Sequence, residues 1–107
     1  MRVAAVMGDL MLYSRIDAAA AAAGASLVRL DAPDRLPDDV DLILVDWSAR
    51  APGWADALRR RPTNARVILF GRHTDLEAHA AARAAGLGPM WARSKLVAEL
   101  PVLFADE

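Results

Sequence analysis

The segment Asp41-Leu42-Ile43-Leu44-Val45-Asp46 limits the possible folds of this chain more than any other. A strand with one face in water alternates apolar and polar residues. Leu-Ile-Leu-Val is apolar on both faces, which suits a central strand of a parallel sheet and not a half-exposed antiparallel one. Other short apolar runs accompany it. Val3 to Met7 reads as a first strand, Leu27 to Leu30 as a second, Asp41 to Asp46 as the third, Arg66 to Phe70 as a fourth and Met90-Trp91 as a short fifth. Helical stretches alternate with these strands, the pattern of a sheet covered on both faces.

Spacing places the helices. From Leu10 to Ala23, Leu12, Ile16, Ala19, Ala20 and Ala23 share one face, with Asp9 where an N-cap belongs and Gly24 where a C-cap belongs. The next clear helix runs from about Gly53 to Arg61 and stops at Pro62. Another runs from Asp75 to Ala85 and stops at Gly86, with Leu76, Ala80 and Ala84 expected to face inward. Ser94 is expected to cap the last helix, and Pro101 to end or bend it. The second connection is different. Asp31 to Asp39 holds two prolines and four aspartates and leaves room for one helical turn. Five such units in 107 residues predict a single α/β domain over residues 1–107. Its sheet is expected to be doubly wound, five-stranded and parallel, in flavodoxin-like order 2-1-3-4-5, with the second helix shortened.

Composition narrows the function. Hydrophobic residues make up 55% and charged residues 25%, a globular balance. Net charge is −1, and the twelve arginines are interleaved with eleven aspartates, so no basic field exists for nucleic acid or anionic lipid. Without cysteine there is no disulfide, no thiolate catalysis and no Cys-ligated metal. The apolar start, Met1 to Met7, is broken by Gly8-Asp9, too short for a membrane span and without a signal peptide's cleavage site. A cytoplasmic location is the expectation. No glycine-rich run follows the first strand, where a nucleotide-binding fingerprint would lie. Ser14, Ser26, Ser48 and Ser94 lack a nucleophile-elbow setting, so the chain is expected not to be an enzyme.

In a doubly wound sheet the site lies outside the carboxyl ends of the strands. Here that edge carries Gly8-Asp9, then Asp46-Trp47-Ser48, Gly71-Arg72-His73, and Arg93-Ser94. These residues, with the run Asp41 to Trp47 and the helix closing in Ala84-Ala85-Gly86, resemble a response-regulator receiver domain of two-component signal transduction. The resemblance covers nearly the whole chain. It implies that Asp46 occupies the phosphoacceptor position of a bacterial phosphorelay protein. The receiver's acidic pair falls on Met7 and Gly8, its Ser/Thr position on Gly71 and its Lys position on Arg93. A hard divalent ion needs several oxygen ligands, and Asp9 and Asp46 are the weak metal candidates left. The chain is thus similar to the pseudo-receivers, which keep the fold and shed the chemistry.

Two readings of the edge follow. In one, Arg93 forms a fork-shaped pair with Asp46, no cofactor is used, and the chain works by binding a protein. In the other, Asp46 is phosphorylated with Mg²⁺; a small-ligand module at the strand-end crevice is a third. No output domain fits beside the fold in this length, so the signal is expected to pass to another signalling protein or a second copy. The surface expected for that contact is the helix four–strand five–helix five face, with Trp91, Lys95, Leu96, Leu100 and Phe104. Trp47 and Trp54 flank the site loop as candidate anchors, each alternatively core packing. His73 is either an edge contact or an exposed loop residue, and His79 lies too far along to form a metal site with it.

Overall fold

The computed structural model describes residues 1–62 and 64–105. Five strands, β1 (Arg2–Val6), β2 (Ser26–Leu30), β3 (Leu42–Asp46), β4 (Arg66–Gly71) and β5 (Trp91–Ala92), form one sheet in the order β2-β1-β3-β4-β5. Every pairing is parallel, so the fold is an α/β sheet of flavodoxin-like topology, as the pattern of runs predicts. Four α-helices connect the strands: α1 (Leu10–Ala22), α2 (Trp54–Arg59), α3 (Leu76–Ala84) and α4 (Arg93–Leu103). The second connection holds a single 3₁₀ turn, Pro33–Arg35, and a second such turn, Trp47–Ala49, follows β3. In the second connection the aspartate side chains compete with helix for backbone bonds and the prolines lack an amide to donate, which keeps it to one turn.

β3 is buried along its whole length. Leu42 and Leu44 face one side, against Leu12, Ile16, Leu96, Leu100 and Phe104 of α1 and the α4 end of the chain. Ile43 and Val45 face the other, against Leu58 of α2 and Ala78 and Ala82 of α3. Burying one such aliphatic side chain contributes about 1.5–3 kcal/mol, so two closed faces are what holds the central strand. Asp9 caps α1, accepting the amides of Met11 (3.1 Å) and Leu12 (3.2 Å). At the other end Gly24 adopts φ +74°, a left-handed turn that an alanine would resist.

Several local expectations are corrected. The buried face of α3 is Ala78 and Ala82, whereas Leu76 is 76% exposed and Ala80 and Ala84 face solvent. Ala82 packs closely on the loop that follows α3, where a Cβ at Gly88 would lie 3.1 Å from its methyl, which leaves little room for a larger side chain. Ala23 is likewise exposed, since α1 ends before it. The last helix begins at Arg93 after Ala92, which offers no side-chain cap, so Ser94 does not cap it. Of the two effects expected of Pro101, ending the helix does not occur: α4 continues to Leu103, with Pro101 costing one backbone hydrogen bond. β5 pairs through Trp91 and Ala92, one residue later than expected, which turns Met90 and Trp91 toward opposite core layers. Among the described residues, no helix is long and apolar enough to cross a membrane.

Candidate functional site

Strand order brings the site together. β1 and β3 are neighbours, so Asp9, three residues past β1, lies beside Asp46 at the end of β3. Asp46 pairs with Phe70 and Gly71 with Ala92, which sets Arg93 just beyond the same edge. Its guanidinium reaches back across β4. Nη2 lies 3.3 Å from Asp46 Oδ2, and Nη1 lies 3.6 Å from Asp9 Oδ2.

The arrangement is a bridge between two carboxylates and not the expected fork onto one. Both contacts are longer than the 2.7–2.9 Å typical of charge-assisted hydrogen bonds. Asp9 explains why. Its other oxygen, Oδ1, is committed to the α1 amides, so the arginine must span two fixed acceptors. Asp46 is buried, with only 6% of its side chain exposed, and is the one buried charged residue among those described. Its Oδ1 has no hydrogen-bond partner among the described residues, nor has Arg93 Nε. A buried carboxylate without a nearby cation is costly, and Arg93 supplies that cation from the protein itself. Among the described residues no group of three His, Cys, Asp or Glu side chains could hold a metal ion.

Gly71, at the position implied to contact a phosphoryl group, is buried and closed off. A Cβ there would collide with Ser48 Oγ and lie 2.9 Å from Met90 Sδ. The Ser48 hydroxyl accepts the Arg72 amide at 3.0 Å, fastening the turn after β3 to the loop after β4. Asp75 joins this latch. The Ala78 backbone amide holds its carboxyl below the ordinary range, helped by the Ser48 hydroxyl and by Arg50 and Arg72. The sequence puts Ser48 on this edge and Asp75 at a helix start, but it does not reveal that the two join the loops after β3 and β4. The available signal was a hydroxyl two residues after Asp46 facing a glycine at the end of the next strand.

The remaining candidates separate. Trp47 is buried under Arg50, whose guanidinium lies 5.7 Å from the ring centre, so it is core and not an exposed edge contact. Trp54 is half-buried against the same core layer. His73 is exposed and contacts neither Asp46 nor Arg93; His79 Nε2 donates to its carbonyl at 3.2 Å. Leu96, Leu100 and Phe104 are corrected outright. They are 0%, 6% and 1% exposed, part of the core that α1 shares, and offer nothing to a partner. Of the expected partner face, Trp91 is half-buried and Lys95 is exposed, its ammonium 4.7 Å from the centre of the Trp91 ring.

No protein-family model matches this chain, and no curated protein matches it in sequence. What stands is the architecture: an α/β protein whose five parallel strands follow flavodoxin-like order, with Asp9, Arg93 and Asp46 meeting at the strand-end crevice.

Proposed function

We propose that this chain is a pseudo-receiver: a regulatory module bound by another signalling protein or by a second copy, with no Mg²⁺-dependent phosphorylation. One observation carries the reading. The Arg93 guanidinium stands between Asp9 and Asp46, the place a divalent cation would need. An internal cation there holds the edge in one state, where a receiver alternates between two. Closure of Gly71 by Ser48 and Met90 supports the same view, because no hydroxyl at that position can meet a phosphoryl oxygen. Output then falls to a surface, and the α3–β5–α4 face offers Trp91 with Lys95 and the exposed Leu76 and Val102.

Treatment with acetyl phosphate and Mg²⁺, read by intact mass, is expected to leave the protein unmodified. A phosphoryl mass gain that disappears in Asp46→Asn establishes the competing reading, a working receiver. The unpartnered Asp46 Oδ1 favours that competitor, since a free buried oxygen is what a nucleophile would present.

A further inference from the structure

A cleft of about 470 Å³ opens between the first turns of α1 and the start of α4. That size is within the range of small-molecule sites. Met11, Leu12 and Val97 form its apolar wall, and Asp9, Arg15 and Arg93 supply its charge. Met11 with Arg15, and Arg93 with Val97, are each one helical turn apart, so both helices present an apolar group and a guanidinium to the same space. Met11 is 84% exposed, an apolar side chain left in water at the mouth. Arg15 is exposed and makes no ion pair with any described residue. Arg93 is incompletely bound: its carboxylate contacts are long and its Nε has no partner among the described residues.

We infer that this cleft binds a small amphipathic carboxylate, its apolar body on Met11, Leu12 and Val97 and its anionic head between Arg15 and Arg93. Two under-used guanidinium groups select an anion. The neighbouring Asp9 carboxylate selects a monoanion, because a dianion such as a phosphate monoester would meet repulsion at the same wall. The apolar wall selects a ligand with a hydrocarbon body over a bare inorganic ion. Arg93 cannot serve two anions fully, so the ligand head and Asp46 compete for it. The site therefore senses an organic acid and reports to the strand edge through one shared side chain. This inference does not rest on the receiver reading.

The test is titration of the ¹⁵N-labelled protein with octanoate, octanol and octylammonium, followed by amide shifts. Octanoate is expected to bind near or below roughly 1 mM, in line with the affinity available to about ten heavy atoms. Its shifts should centre on the first turns of α1 and the start of α4. Octanol, octylammonium and the Arg15→Gln variant should each bind about tenfold more weakly, the effect of losing one charge-assisted hydrogen bond. Asp46→Asn frees Arg93 and should tighten octanoate several-fold. No shifts up to roughly 5 mM octanoate, equal affinity for octanol, or unchanged affinity in Arg15→Gln overturns the site. Unchanged affinity in Asp46→Asn, with Arg15→Gln weakened as expected, overturns the competition for Arg93. Arg15 is a surface residue, so loss of folding does not confuse that variant.

Discussion

Two side chains decide the character of the strand edge, Arg93 and Ser48. Arg93→Met keeps most of the apolar stem and removes the charge, leaving Asp46 buried without its cation. The expected loss is about 1–3 kcal/mol by urea denaturation, less than for a fully buried pair because Arg93 is itself partly in water. A neutral effect would mean that Arg93 does not hold Asp46. Ser48 is tested through its neighbour. Gly71→Ser forces the Ser48 hydroxyl and the Met90 thioether aside and is expected to cost about 1–2 kcal/mol. Adding Ser48→Gly should recover part of that loss, since the two side chains contend for one space. Arginine after a fifth strand and glycine at the end of a fourth are visible in the chain, but what each faces, Asp46 for Arg93 and Ser48 for Gly71, lies far off in the sequence.

At the scale of elements, α3 shows how a helix can be legible while its face is not. Asp75 before it and Gly86 after it mark its ends, and they do bound the helix. Its inward face is not legible because Leu76-Glu77-Ala78-His79-Ala80-Ala81-Ala82 carries alanine on every side, so periodicity has little contrast to work with. Packing chose the small face. Leu76→Lys is therefore expected to change stability by less than roughly 0.5 kcal/mol, whereas Ala82→Leu should cost about 1–3 kcal/mol by overpacking. The reverse ranking in thermal melts would restore the face read from sequence. The Asp75 cap carries a pH dependence. Its folded carboxyl is more acidic than an ordinary one, so its contribution is present above the unfolded value. That contribution is lost as pH falls through the lowered folded value. Stability of the wild type should fall more steeply below roughly pH 4 than that of Asp75→Asn, a comparison that acid-range melts can make.

For the molecule as a whole, the end of the described chain is structural. Phe104 follows α4, is 1% exposed and closes the core layer built from Val3, Ile16, Leu44 and Leu100. Phe104→Ala should cost about 3–5 kcal/mol and broaden or abolish the cooperative transition. If the variant unfolds like the wild type in differential scanning calorimetry, Phe104 returns to the surface role first expected of it. The lesson concerns amphipathic helices at a candidate interface. Leucine and phenylalanine at helical spacing on the last helix are the residues that seal the domain, and what they leave exposed on it includes Lys95 and Val102.

The order of elements, the central place of the Leu42 to Val45 run and the edge on which the chemistry collects were written in the amino-acid sequence. Apolar runs and turn residues act over a few neighbours, so the existence and order of elements can be read without the tertiary context. What Asp46 contacts, which alanines face inward and whether Phe104 is core or surface were not. Arg93 is brought to 3.3 Å from Asp46 and 3.6 Å from Asp9 by strand order and register. Those are properties of the assembled sheet, set by which faces can close together against water.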